Sequence, residues 1–297
     1  MARKQKQSDP RQHFFFEEPP QYLPADPTFK PLEYPVWTRN KALLVQRYLR
    51  YFVFITKHGT YIDGFAGPQE PKQLETWAAK RVLENDPQWL RHFFFCELDK
   101  KTIPALRALE RGPAGTNLLI KRNVQVLQGD FNVRIDDVLS SGVVTAKEAT
   151  FYLLDQRTFE CDWSTVAKLA QHKASNKIEL FYFLGTGWLH RAFSGLKKQP
   201  ATRMTRWWGR DDWDHLEPAN GRSITDAFVR RFKEELGYRY ANAFPIYEKS
   251  NERSKAMYQM IHASDHPESL TFMVRAYRRA VDSKEPPGQL SMELGGM

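Results

Sequence analysis

What most narrows the fold of this 297-residue chain is a series of short apolar runs that fail to alternate. They are "TYID" (60–63), "HFFFCEL" (92–98), "NVQVLQGD" (123–130), "ATFYLLD" (149–155) and "IELFYFL" (178–184). A strand with one wet face alternates apolar and polar side chains. A near-continuous apolar run needs cover on both faces, as in a parallel sheet flanked by helices. Segments of helical spacing lie between the runs. "LETWAAKRVLEN" comes first, then "TIPALRALE", with Pro104 tolerable in its first turn. "DWSTVAKLAQHK" follows, with Asp162 as its expected cap and Trp163, Val166 and Ala170 on one face. Strands alternating with helices predict a doubly wound α/β sheet.

Upstream, "RNKALLVQRYLRYFVFITKH" predicts a helix capped by Thr38, with a stripe of Leu44, Tyr48, Tyr51 and Ile55 and a stop at Gly59. Downstream, "SITDAFVRRFKEELG" predicts a helix opened by Ser223 and closed by Gly237. "RYANAFPIYEK" (239–249) and "AMYQMIHASD" (256–265), joined by the polar "SNERSK", predict an antiparallel pair, and "ESLTFMVRAYRRAV" a closing helix. The expected whole is a Rossmann-like class I methyltransferase sheet: seven strands, mostly parallel, with a C-terminal antiparallel hairpin and helices on both faces. An extended arm is expected over 1–35, where "HFFFEE" would anchor it. The α/β domain follows over 36–285, with a basic, Trp-rich insertion at 188–222, and a flexible tail over 286–297.

Composition bounds the partners. Lys and Arg outnumber Asp and Glu by 44 to 35, giving a net charge of +9 and a pI near 9.4, a balance that suits polyanions and nucleic acid first. The two cysteines, Cys96 and Cys161, belong to no metal-binding or disulfide framework, and the histidines show no metal-ligand spacing. The N-terminal stretch is basic and polar rather than apolar, so a cytoplasmic, reduced protein with no membrane segment is expected.

In a doubly wound sheet, ligands sit beyond the carboxyl ends of the strands. Those ends carry a constellation. The first strand leads into Asp63-Gly64-Phe65-Ala66-Gly67-Pro68, where glycines let the backbone approach a ligand. Glu97 leaves the second, placed to accept from both hydroxyls of a ribose. Gly129-Asp130-Phe131 leave the third, an acceptor for an adenine amino group beside an aromatic ring. Asp155 leaves the fourth, nearest the expected reactive centre. Taken singly, such a turn is also the punctuation of a buried strand, and such an aspartate is also a helix cap. Together they predict an adenosine-type cofactor. A dinucleotide turn needs Gly-x-Gly-x-x-Gly, which this turn lacks, and no phosphate-binding lysine follows. The acidic turn suits the sulfonium of S-adenosylmethionine better than a pyrophosphate.

"YIDGFAGPQ", "FFFCELDKK", "GDFN", "GWLHRAF" and "RWWGRDDW" together resemble the three-Cys-motif partner proteins, over residues 35 to 280. The resemblance implies a bacterial methyltransferase-like fold that binds S-adenosylmethionine. It also implies a possible partnership with a radical-type three-cysteine protein. "DGFAGP" is similar too to the first motif of DNA cytosine methyltransferases. The chain departs from the family at Gln69, where a glycine is usual. It departs again at Asp155-Gln156-Arg157-Thr158, in place of Asp-Pro-aromatic-Gly. In amino-group methyltransferases that turn presents a proline carbonyl and a ring to a flipped base.

A third feature is the stretch from Arg191 to Arg210, which holds Arg191, Lys197, Lys198, Arg203, Arg206 and Arg210 with no acid, and Trp207 and Trp208 among them. Cations beside flat rings predict contact with DNA or RNA, whether single-stranded or flipped. Tryptophans anchoring a basic loop to the core are the other reading, and "DDWD" follows directly. Three functions are expected from these features: a nucleic-acid methyltransferase, a non-catalytic binding or partner subunit on the same fold, or a metal-dependent nuclease using Asp63, Asp99 and Lys101.

Overall fold

The computed structural model describes residues 40–68, 76–115, 122–157, 159–187, 189, 193, 202–216, 221–247 and 256–282. The arm at 1–35, the tail at 286–297, Thr38 and "SNERSK" lie outside them.

Seven strands form one sheet in the order β3-β2-β1-β4-β5-β7-β6. The strands are β1 (Gly59–Asp63), β2 (Leu90–Glu97), β3 (Asn123–Gln128), β4 (Thr150–Leu154), β5 (Glu179–Leu184), β6 (Tyr240–Tyr247) and β7 (Ala256–Ser264). β1 pairs in parallel with both β2 and β4, and β5 continues the parallel set. β7 enters antiparallel between β5 and the edge strand β6. This is the class I methyltransferase-like Rossmann sheet expected from the sequence.

Position explains pattern. Every residue of β1, β4 and β5 is buried, whereas β3 and β6, at the two edges, intersperse buried positions with half-buried ones, and in β3 also with exposed ones. The fully buried runs are therefore inner strands, whereas "NVQVLQGD", expected among the non-alternating runs, is the edge strand β3 and alternates because only one of its faces is covered closely. Tyr61, Phe93, Phe95, Phe151 and Phe181 stack side to side on one face, ring centroids 4.7 to 6.4 Å apart.

The helices are α1 (Lys41–Thr56), α2 (Ala78–Leu83), α3 (Ile103–Arg111), α4 (Phe131–Leu139), α5 (Trp163–Gln171), α6 (Thr202–Trp208), α7 (Gly221–Glu234) and α8 (Ser269–Asp282). α1 packs against α2 and α8. Several expectations need correction. The buried stripe of α1 runs through Leu44, Val45, Tyr48, Leu49, Phe52 and Val53, while Ile55 is exposed. α4 was not foreseen, because "FNVRIDDVL" is too short and polar to announce itself. Asp162 is the cap of α5 by position, but its side chain makes no capping bond. α7 begins at Gly221, so Ser223 lies inside it. Cys96 and Cys161 are both buried, as small core residues.

Candidate functional site

The strand order reverses between β1 and β4, and that switch point is where a sheet of this kind opens a crevice beyond its strands. Asp63 ends β1 and Asp155 directly follows β4, so both flank the opening.

The turn after β1 is held on both sides. Gly64 N–H donates to the Leu153 carbonyl at 3.0 Å, and Ala66 N–H to the Cys96 carbonyl at 2.9 Å. Trp77 Nε1 donates to the Ala66 carbonyl at 2.7 Å. Asp63 itself is 1% exposed; its Oδ1 accepts from Phe65 N–H at 3.1 Å and its Oδ2 from the Tyr61 hydroxyl at 3.2 Å. Burial pushes its carboxyl up to about 7, against the stabilising Phe65 N–H and with the Asp155 charge adding to the rise.

Gly67 comes closest to a neighbouring strand end. Its N–H donates to Glu97 Oε2 at 2.6 Å, and a Cβ there would lie 2.2 Å from that oxygen. A side chain there would push the Glu97 carboxylate off this N–H. The other oxygen of Glu97 accepts from Asp99 N–H at 2.7 Å. The backbone of one turn thus meets the carboxylate of the adjacent strand.

Asp130 and Phe131 are placed differently from each other. Asp130 is exposed and caps α4, its Oδ1 accepting from Asn132 N–H at 2.9 Å and from Asn132 Nδ2 at 2.9 Å. It stands at the end of β3 as expected, with one oxygen committed to the cap. Phe131 is only 3% exposed and packs on Tyr152 and Phe65, with centroids 5.5 and 5.7 Å away. Its ring supports Gly64 from behind, where a Cβ would lie 3.1 Å from it, rather than facing a ligand.

Asp155 has a partner that sequence reasoning missed. Lys41, the first residue of α1, places Nζ 2.6 Å from Asp155 Oδ1. That ammonium lies 4.3 Å from the Tyr258 ring centroid and 4.9 Å from that of Phe183, so it is boxed by aromatic faces. Burial raises the Asp155 carboxyl, and Lys41 opposes the rise. Nothing in "RNKALL" distinguishes Lys41 from a surface lysine, because only the fold brings it across 114 positions. Gln156 is 1% exposed, its carboxamide beside the Tyr182 hydroxyl without a well-formed hydrogen bond. Burial holds the Cys161 thiol well above its usual range, so it is no nucleophile.

The basic segment needs the largest correction. Trp207 is fully buried and Trp208 6% exposed. Trp207 Nε1 donates to the Tyr182 hydroxyl at 3.0 Å and Trp208 Nε1 to Asp212 Oδ1 at 2.7 Å. Both rings pack on Phe228, so neither offers a face to a base. Arg203, Arg206 and Arg210 are exposed. Arg206 pairs with Asp162 at 2.6 Å and Arg210 with Glu235, acids that offset much of the local charge. Arg191, Lys197 and Lys198 lie outside the described residues. Arg231 is wedged between Trp163 and Trp208, 3.8 and 4.2 Å from their centroids, and bonds the Trp208 carbonyl and Glu235.

Among the described residues, no three His, Cys, Asp or Glu side chains gather as a metal site would require, and no helix is long and apolar enough to cross a membrane. The strand-end residues fit S-adenosylmethionine in two respects. The turn ends in Gly67, packed directly on Glu97, and the side chains nearest it among the described residues, Asp63 and Glu97, are acids that suit ribose hydroxyls and a sulfonium rather than a pyrophosphate.

No family model and no curated protein matches this chain. Among solved structures, it is similar to the DszA carbon methyltransferase, at 18% identity and a TM-score of 0.39, over 70% of this chain and 47% of that one. It is similar also to the CurJ carbon methyltransferase, at 16% identity and a TM-score of 0.39, over 70% and 49%. The chain therefore spans about half the length of the solved structures it matches.

Proposed function

We propose that this chain is an S-adenosylmethionine-dependent methyltransferase acting on nucleic acid. The observation that carries this reading is the contact of Gly67 with Glu97, beside the buried Asp63 at the sheet's switch point. Asp63, Gly64, Phe65, Ala66 and Gly67 would form the cradle for the amino-acid end, Glu97 would accept from the ribose and Asp130 from the adenine amino group. Bound there, the cofactor would supply a methyl group on a sulfonium, electrophilic without further activation. The chain's own work is then positioning: Asp155 orients the acceptor and the aromatic box of Phe183 and Tyr258 keeps water away. The net charge of +9 and the exposed Arg203 support a polyanionic acceptor, DNA or RNA.

A second reading, a non-catalytic methyltransferase-fold subunit that binds nucleic acid or a radical-type three-cysteine partner, is favoured by Lys41. Its ammonium already neutralises Asp155, and Gln156-Arg157 replaces the turn that would grip a flipped base. Calorimetry with S-adenosylmethionine and its demethylated product tests the common ground. Wild type should bind both, and Glu97→Ala should weaken binding roughly ten-fold or more. No heat from wild type with either compound overturns the first reading. Binding without transfer of labelled methyl to DNA or RNA selects the second.

A further inference from the structure

The amino ends of the strands form a second cleft, at the opposite end of the sheet from Asp63, Glu97 and Asp155. Thr150 opens β4 and Glu179 opens β5, and both line it, so on the order of 15 Å of strand separates the two regions. Its volume is about 460 Å³, within the range of small-molecule sites. Tyr48 and Phe52 of α1 and Phe272 of α8 give it aromatic walls.

Among the Lys, Asp and Glu residues that line it, Glu179 is the buried one, 8% exposed. Three donors fix its carboxylate. Oε1 accepts from His262 Nε2 at 2.7 Å and from the Tyr48 hydroxyl, and Oε2 accepts from Ser264 Oγ at 3.2 Å. A carboxylate has about four acceptor positions, so one remains. Among the described residues, no Lys or Arg pairs with it.

The nearby cations are occupied or peripheral. Lys177 Nζ donates to the Leu236 carbonyl at 2.5 Å and lies over the Tyr238 ring. His58 pairs with Glu148 at 2.9 Å, and Lys147 stands exposed on the rim. Asp265 adds a second carboxylate to the lining. Ser269, 2% exposed in the same wall, has no partner for its hydroxyl among the described residues.

We propose that this cleft binds a small organic cation, an amine with an apolar body, whose ammonium meets Glu179 while the body lies against Tyr48, Phe52 and Phe272. A fixed, largely dehydrated carboxylate among aromatic faces stabilises an ammonium through a charge-assisted hydrogen bond and cation–π attraction together. An organic anion would instead meet Glu179 with like charge.

The test is calorimetry at low salt with two probes of one shape and opposite charge, phenethylammonium and 3-phenylpropionate. Wild type should bind the ammonium at least roughly ten-fold more tightly than the carboxylate. Glu179→Gln, close in shape, should abolish that preference. Lys147→Ala, on an exposed side chain that leaves the fold intact, should keep or tighten ammonium binding. Absence of phenethylammonium binding at millimolar concentration overturns the proposal. So does equal or stronger binding of the carboxylate, or weaker ammonium binding by Lys147→Ala.

Discussion

Replacing Asp63 by Asn should make the protein more stable at neutral and alkaline pH. Asp63 is 1% exposed, and burial raises its carboxyl from the ordinary 3.8 to about 7. A raised carboxyl means that the native state binds its proton more tightly than the unfolded chain. Its contribution is therefore fully present below about 3.8, is lost as pH rises, and is gone above about 7. Holding this group ionised in the fold costs roughly 4 kcal/mol at pH 8, of which roughly 2–3 kcal/mol accrues between pH 5 and pH 8. The Asn variant keeps the acceptor for Phe65 N–H and carries no charge to desolvate. Urea unfolding of both proteins at pH 5, 6, 7 and 8 is the assay; groups other than Asp63 titrate in both and largely cancel in the difference. The gap in favour of the variant should widen by roughly 2–3 kcal/mol over that range. Parallel stability curves would refute the reasoning, since they would mean that Asp63 titrates alike in native and unfolded chains. If Asp63 also holds the cofactor's cationic end, the same substitution should weaken S-adenosylmethionine binding, so that stability and affinity move in opposite directions.

Three further outcomes follow from the basic segment. Gly209 adopts φ +82° with Trp163 2.5 Å from where a Cβ would sit, so Gly209→Ala should destabilise the protein by roughly 1–3 kcal/mol in thermal or urea unfolding. Trp207→Ala should cost roughly 3–5 kcal/mol of stability, whereas Arg203→Ala should leave the melting temperature unchanged and flatten the salt dependence of DNA or RNA binding measured by fluorescence anisotropy.

The sheet was legible because its inner strands announce themselves. A strand buried on both faces has nowhere to put a polar side chain, and "TFYLL" and "ELFYFL" obey that limit apart from Glu179, which the Tyr48, His262 and Ser264 donors accommodate. Edge strands and the short α4 carry weaker patterns. The strand-end acids were legible for a different reason, since topology alone assigns Asp63, Glu97, Asp130 and Asp155 to one end of the sheet. Chemistry that depends on distant pairing was not. Lys41 reads as a surface lysine until the fold seats it on Asp155, and Trp207 and Trp208 read equally as base-stacking rings or as core anchors until α7 packs Phe228 beneath them. Residue type told what each side chain can do, whereas burial decided which of those things it does.

The Lys41–Asp155 contact has a consequence for selectivity. The crevice carries its own counter-ion, so an incoming cation gains little from Asp155 unless the lysine swings off it. Entry then becomes an ion exchange: one positive group leaves as another arrives, and the net charge of the pocket stays constant. A neutral molecule cannot drive that exchange. The Lys41 side chain would have to leave Asp155 whenever the exchange occurs, making that side chain a reporter of occupancy.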